Sequence, residues 1–187
     1  MLVGGSLLPY SSPENPDQYF IGIDASARST GVVIASLEGD TKEYLLVPKN
    51  LKGPARLKNL YLGLMDCVSG IKIERAAIEG PSYNSANKPF TLGEVYGVFK
   101  LLLEIRGVPV HVVSPRSVKK YATGKGSATK EEVLLRAKAM GCVSDSNDVA
   151  DAWFIAMIAK DAHLGYSTIR TRKSQEVINA VMKKGPE

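Results

Sequence analysis

Two apolar segments joined by a short polar turn lie near the start of the chain. Residues 19–23 have the length and β-branched character of a buried strand, and residues 26–31 are turn formers. Residues 20–34 therefore predict a β-hairpin. The segment 41–47 predicts a third strand, which would complete an antiparallel meander.

Farther along the chain, segments with apolar residues at helical spacing alternate with short apolar strands. Helices are predicted at residues 55–68, 90–106 and 130–140, and a further helix begins at a cap formed by Asp145 or Ser146 and continues to His163. Strands are predicted at residues 74–79 and 108–113. This order predicts an α/β fold, in which helices cover both faces of a five-stranded mixed sheet.

Two loops interrupt this pattern. Residues 80–89 are predicted to form a polar loop, and residues 114–129 a basic loop that contains Gly124 and Gly126. Thr129 is a good helix N-cap and Glu132 lies three residues later. A capping box is therefore predicted at the start of helix 130–140.

Length and composition favour one globular domain. The chain has 187 residues, of which 44% are hydrophobic, and no run of about 18 apolar residues predicts a membrane span. We expect a flexible leader at residues 1–18, without the features of a secretion signal, and a single folded domain at residues 19–165. A basic C-terminal tail is expected at residues 166–187, helical in part over residues 174–182.

The cysteines and histidines do not form a metal-binding pattern. Cys67, Cys142, His111 and His163 lie far apart without a second ligand at metal-binding spacing, so we expect ordinary packing or surface roles for all four. This cysteine usage suits a reducing compartment, such as the cytoplasm of a bacterium or of a virus-infected cell.

The excess positive charge is concentrated in the last two fifths of the chain. Residues 1–110 contain 11 basic and 11 acidic residues, whereas residues 111–187 contain 13 basic and 8 acidic residues, which accounts for the net charge of +5. No acid interrupts the cations between residues 112 and 130, which are Arg116, Lys119, Lys120, Lys125 and Lys130. Such a patch is typical of a phosphate-backbone binder, although a solvated basic loop has the same composition.

Four carboxylates occupy positions where charge needs compensation. Asp24 and Glu79 each end an apolar strand, and Asp148 and Asp151 share one face of the apolar helix that ends at His163. Ordinary alternatives exist for them. Asp24 can accept hydrogen bonds from its own turn, and Asp148 can cap the helix while Asp151 pairs with a basic side chain.

The predicted topology can gather these four carboxylates. Parallel pairing of the two strands would bring Asp24 and Glu79 to one sheet edge, and the helix could carry the other two acids across that edge. Four carboxylates without histidine or cysteine form a hard oxygen-donor site, which favours Mg²⁺ or Mn²⁺ over zinc. Two such ions about 4 Å apart can activate water and stabilise the leaving oxygen of a phosphodiester.

Four motifs follow one another along the chain: GIDASARSTG contains Asp24, AIEG contains Glu79, SPRSVKKYATGKGSATK contains Lys119 and Lys130, and DVAD contains Asp148 and Asp151. In this order they resemble the RuvC family of Holliday junction resolvases, which have a ribonuclease H-like fold, and this resemblance implies that the domain at residues 19–165 is a nuclease domain. The resemblance runs from about residue 20 to residue 164, some three quarters of the chain.

The resemblance implies a Mg²⁺-dependent homodimer that cuts two opposed strands of a four-way DNA junction by paired symmetric nicks. It implies that the four carboxylates are catalytic and hold two metal ions, and that Lys119 and Lys130 contact DNA. A twofold dimer suits a substrate with its own twofold symmetry. The dimer face is expected to include helix 90–106, whose apolar stripe could equally be core.

Two positions depart from the family pattern. Asp148 stands where many bacterial members have histidine, so this ligand cannot act as an acid or base of the histidine type. Ser82 stands where some members have an aromatic wedge, three residues after the glutamate. Tyr83 follows it and can stack on an unpaired base, a contact worth about 1 to 3 kcal/mol, or it is simply a loop aromatic.

Other functions fit parts of this pattern. A less selective nuclease for forks and flaps shares all these features, whereas a junction-binding protein without catalysis would gain nothing from clustered acids. A nucleotide-binding domain of the sugar-kinase and actin type needs a second similar half, for which 187 residues leave no room. The sequence identifies neither a cleavage preference nor a branch-migration partner.

Overall fold

A five-stranded mixed sheet forms the centre of the computed structural model, which describes residues 18–80 and 89–187. The strands, in the spatial order β3-β2-β1-β4-β5, are β1 (Tyr19–Asp24), β2 (Thr30–Ser36), β3 (Thr41–Leu46), β4 (Ile73–Glu79) and β5 (Val110–Val113). β1 and β3 pair antiparallel with β2, whereas β4 pairs parallel with β1 and β5. The predicted meander and mixed sheet are confirmed.

Helices cover both faces of the sheet. The first face carries α1 (Gly53–Cys67) and α2 (Pro89–Ile105), and the second carries α3 (Pro115–Thr123), α4 (Lys130–Ala139), α5 (Asn147–Leu164) and α6 (Arg172–Lys184). Side chains alternate along β1, so Phe20 joins the core under α5, whereas Ile21 and Ile23 join the core under α1 and α2. The predicted α/β architecture with two helical layers is confirmed.

Helix α5 lies directly on the sheet because two strand residues are glycine. A Cβ atom at Gly22 would lie 2.1 Å from the backbone nitrogen of Ala156, and one at Gly31 would lie 2.0 Å from the carbonyl oxygen of Asp148. Neither contact leaves room for a side chain. The helix is buried without interruption from Val149 to Ala162, as its apolar sequence predicted.

The predicted basic loop at residues 114–129 is wrong in its first half, which forms α3. Ser114 caps this helix by accepting the Ser117 N–H at 3.1 Å, and Gly124 ends it with φ of 81°. The buried side of α3 carries Val118 and Tyr121. Packing of these apolar residues outweighs the three basic residues that suggested a loop.

The predicted capping box of Thr129 and Glu132 is confirmed, with hydrogen bonds of 3.2 and 2.7 Å.

The predicted partial helix in segment 166–187 is confirmed and is longer than expected. α6 spans Arg172–Lys184 and buries Val177, Ile178 and Val181 in the core under α5. The division of the chain into leader, domain and tail stays a prediction. Residues 1–17 and 81–88 lie outside the described residues, so the predicted leader and the predicted polar loop at 80–89 stay predictions.

Cysteines and histidines occupy packing or surface positions. Cys67 and Cys142 are buried free thiols in different cores, His111 is buried and His163 is exposed.

Among the described helices, none is long and apolar enough to cross a membrane.

Candidate active site

Two of the predicted carboxylates end neighbouring parallel strands. Ile23 of β1 is paired with Ile78 of β4, so Asp24 and Glu79 follow at the same level on the same edge of the sheet. Because side chains alternate along a strand, both carboxylates lie on the face that α5 covers. The predicted parallel pairing is confirmed, and it brings the two strand acids together.

The other two predicted carboxylates lie at the start of α5. Asp148 is in the first helical turn, and Asp151 follows one turn later and is 9% exposed. The carbonyl of Asp148 lies against Gly31, which is the residue of β2 that pairs with Asp24. The close packing at Gly31 therefore brings the helix acids to the strand acids.

Burial and neighbouring acids raise the pKa values of three of the four carboxylates. The pKa of Asp24 is raised well above its ordinary range, chiefly by burial and then by the other three acids. The pKa of Glu79 is raised to about 7, by burial and next by Asp151, and the pKa of Asp151 is raised to about 6, by burial with a smaller effect of Asp148. Acids that raise one another's pKa values form a site with a deficit of positive charge.

Two lysines partly offset this deficit. Lys130, the first residue of α4, lowers the pKa values of Asp24, Glu79 and Asp151, and Lys119 in α3 lowers those of Glu79 and Asp151. Both lysines therefore lie within electrostatic reach of the acids. They stand where a phosphate group beside the acids could pair with them.

The other predicted DNA contacts have different surroundings. Arg116 in α3 and Lys125 after it are exposed. Lys120 donates a hydrogen bond to Glu176 of α6 at 2.8 Å, so it is engaged within the protein. Tyr83, the predicted stacking residue, lies outside the described residues.

The hydrogen bonds of the site show whether Asp24 accepts bonds from its own turn and whether Asp148 caps α5. Ser29, in the turn between β1 and β2, donates to Asp148, and the cap of α5 is Ser146 rather than Asp148. The described side-chain hydrogen bonds within the turn join Ser26 with Thr30 and with the N–H of Arg28, and none uses Asp24. The Ser29 contact was not predicted, because a turn serine gives no signal of a partner 119 residues away.

A divalent cation fits this site by donor type. The site offers only carboxylate oxygens, which are the hard donors that Mg²⁺ and Mn²⁺ prefer. Among the described residues, however, no group of three or more His, Cys, Asp and Glu side chains is already arranged to hold an ion. The fit therefore rests on donor chemistry, on the shared sheet edge and on the charge deficit, and not on a finished coordination geometry.

Comparison with known proteins identifies the family. A family model described as crossover junction endodeoxyribonuclease RuvC matches residues 20–159. The chain belongs to the RuvC family. A RuvC of Brevibacillus brevis is 30% identical over 149 residues, which cover 73% of this chain and 88% of the relative. A RuvC of Chlorobium phaeovibrioides is 32% identical over 153 residues, which cover 73% of this chain and 78% of the relative.

A solved RuvC structure shares the fold of this RuvC-family chain. Thermus thermophilus RuvC in complex with Holliday junction substrate matches with a TM-score of 0.69 at 19% identity, covering 90% of this chain and 99% of that chain. The ribonuclease H-like fold implied by the sequence motifs is thereby confirmed. The motif-based prediction of the RuvC family is confirmed as well.

Proposed function

We propose that this chain is a divalent-metal-dependent endodeoxyribonuclease that resolves four-way DNA junctions by paired symmetric nicks. The proposal is carried by the gathering of four carboxylates on one sheet edge beside Lys119 and Lys130. A protein that only binds phosphate gains nothing from acids that repel one another. A metal-dependent nuclease needs such a charge deficit, and the family is that of crossover junction endodeoxyribonucleases.

We assign the metal to Asp24, Glu79, Asp148 and Asp151 and propose two Mg²⁺ ions, which Mn²⁺ can replace. When bound, such ions lower the pKa of a water molecule and stabilise the leaving oxygen of a phosphodiester. Glu79, with its pKa raised to about 7, must give up its proton to act as a ligand. Lys119 and Lys130 would hold the scissile phosphate against this negative cluster.

A homodimer is proposed from the outer face of α2. The inner face, with Phe99 and Leu102, belongs to the core, so part of the predicted apolar stripe is core. The outer face exposes Phe90 and Ile105, which are 88% and 69% accessible. Two such faces packed around a twofold axis would cover this apolar surface and present two active sites to one junction.

The test uses a labelled immobile four-way junction with Mg²⁺, beside a fork, a flap and a duplex of equal length. Paired symmetric nicks on the junction alone, absent in Asp24→Asn, would support the proposal. Cuts spread over forks and flaps would indicate a less selective debranching nuclease. Junction binding without cuts in Mg²⁺ or Mn²⁺ would indicate a non-catalytic protein.

The cytoplasmic location stays a prediction from cysteine usage.

A further inference from the structure

Glu43, which belongs to none of the family motifs, holds the loop that precedes α5. Its carboxylate on β3 accepts hydrogen bonds from the backbone N–H groups of Val143 and Ser144, at 3.0 and 2.9 Å. The thiol of Cys142 lies 3.5 Å from one of the same oxygens. Cys142 is buried in the core, whereas Val143 is 80% exposed, so after Cys142 the loop is held by polar contacts of its backbone.

These contacts continue into the first turn of α5. The Ser144 hydroxyl oxygen accepts the N–H of Ser146 at 3.1 Å, and the Ser146 carbonyl accepts the N–H of Ala150 at 3.0 Å. Ser146 is the N-cap residue, but its side chain makes no capping hydrogen bond. Glu43 therefore connects edge strand β3 to the helix start through Ser144.

The position of α5 decides where half of the acid cluster lies. Asp148 and Asp151 are in its first two turns, and the helix backbone already touches β2 at Gly31 without spare room. Any shift of the helix start along the sheet moves both carboxylates relative to Asp24. A displacement of about 1 Å at a reacting group can cost about 10²-fold in rate.

We infer that Glu43 is a positioning residue for the acid cluster: it fixes the start of α5 so that Asp148 and Asp151 meet the strand acids. This inference rests on the proposed metal-dependent nuclease function. Glu43 is two strands away from β1 in the sheet order, so it acts through the loop and not as a ligand. A carboxylate that accepts two backbone N–H groups makes charge-assisted hydrogen bonds, which are the stronger kind.

The test compares Glu43→Ala and Glu43→Gln with Glu38→Gln, a matched control at an exposed acid in the turn before β3. The measurements are Mn²⁺ binding by calorimetry, amide hydrogen exchange at residues 143–151 without DNA, and single-turnover cleavage at saturating junction. For Glu43→Ala we expect Mn²⁺ binding to weaken and cleavage to slow about tenfold or more, with faster exchange and unchanged junction affinity. Glu43→Gln keeps one carbonyl acceptor and should fall in between, and Glu38→Gln should match the unmodified protein.

A purely structural role of Glu43 predicts a different result. Glu43→Ala would then lower only the melting temperature, while the folded protein kept normal Mn²⁺ binding, exchange at residues 143–151 and cleavage, and this would overturn the inference. Absence of cleavage in the unmodified protein would instead contradict the proposed nuclease function. In that case hydrogen exchange and Mn²⁺ binding would still decide the role of Glu43.

Discussion

Helix α5 carries buried carboxylates near both ends, and their surroundings differ. Asp161, near the C-terminal end, is fully buried and accepts hydrogen bonds from the Tyr121 hydroxyl at 2.5 Å and from the Thr168 N–H at 2.8 Å. Asp151, near the N-terminal end, is almost as buried. Its electrostatic neighbours are the other acids of the cluster and two lysines.

Burial of an acid therefore does not identify a functional site by itself. Burial raises the pKa of both Asp151 and Asp161. Around Asp161 the hydrogen-bond donors Tyr121 and Thr168 oppose that rise, whereas around Asp151 the charges of Lys130 and Lys119 oppose it and Asp148 adds to it. An acid with its own donors stabilises the fold, but an acid among acids needs a cation.

The largest expected effect is a loss of junction cleavage when Asp151, but not Asp161, is replaced by asparagine. Asp151→Asn removes one charge from the cluster with little change of shape. We expect junction cleavage to fall by at least about 10³-fold, equivalent to about 4 kcal/mol of activation free energy. Junction binding should stay equal or tighten because negative charge is lost. Single-turnover cleavage and binding assays measure the two quantities.

Asp161→Asn is the control at the other end of the same helix. Its cleavage rate per folded molecule should stay near that of the unmodified protein, because Asp161 contacts none of the other acids among its described hydrogen bonds. Equal losses of cleavage in both variants would contradict the assignment of a role in cleavage to Asp151 and a role in stability to Asp161.

The next effect concerns the packing that places the N-terminal end of α5. Gly31→Ala would put a Cβ atom 2.0 Å from the carbonyl oxygen of Asp148, so the helix start must move away from β2. We expect a loss of stability at or above the upper end of the about 1 to 3 kcal/mol typical of overpacking. Urea unfolding measures it, and Mn²⁺ binding should weaken in parallel.

Gly97→Ala in α2 provides the matched control for that substitution. A Cβ atom at Gly97 meets nothing within 4 Å, so the change should be neutral or slightly stabilising in a helix. Gly97 is exposed on α2, the helix proposed for the homodimer, so both variants are compared at a protein concentration at which the chain is monomeric. If Gly31→Ala lowered the free energy of unfolding no more than Gly97→Ala does, the close approach at β2 would not determine the position of α5.

A smaller effect tests the C-terminal end of α5. Tyr121→Phe removes the hydroxyl that donates to Asp161 and leaves Thr168 as its remaining described hydrogen-bond partner. We expect a loss of about 1 to 2 kcal/mol of stability, measured by urea unfolding, with Mn²⁺ affinity unchanged. A marked loss of Mn²⁺ affinity would show that the two ends of the helix are coupled.

Local sequence signals predicted the elements that carry the acids. The hairpin whose first strand ends at Asp24, the strand that ends at Glu79 and the capping box at Thr129 all depend on residues within a few positions of one another. The alternation of strands with helices predicted the mixed sheet, and the edge where the acids meet followed only on the condition that the two strands pair in parallel. The roles of these acids stay predictions.

Long-range contacts were beyond such signals. Glu176 is 56 residues from Lys120, and Glu43 is 101 residues from Ser144, so no local pattern pairs them. Helix α3 was missed for a related reason. Its basic residues suggested a loop, whereas its helical state depends on packing of Tyr121 against α5.

The smallest expected effect concerns a third buried ionisable group. His111 is buried on β5 and its Nε2 accepts a hydrogen bond from the Arg75 guanidinium at 2.6 Å. Burial, followed by the charges of Arg75 and Lys184, lowers the pKa of His111. In the unfolded chain its pKa is about 6.5. As the pH falls below that value, the unfolded state binds a proton that the folded state does not, so stability decreases by at most about 1.4 kcal/mol per pH unit.

Urea unfolding at pH values between about 5 and 8 tests this dependence, with the exposed His163 as a control. His111→Gln should remove the loss of stability on acidification, whereas His163→Gln should keep it. Carboxylates with raised pKa values contribute a slope of opposite sign, so the result is the difference in slope between each variant and the unmodified protein. An unchanged slope in His111→Gln would mean that its neighbours do not hold His111 neutral. The rule drawn from α5, that the neighbours of a buried ionisable group decide its role, would then not extend to this site.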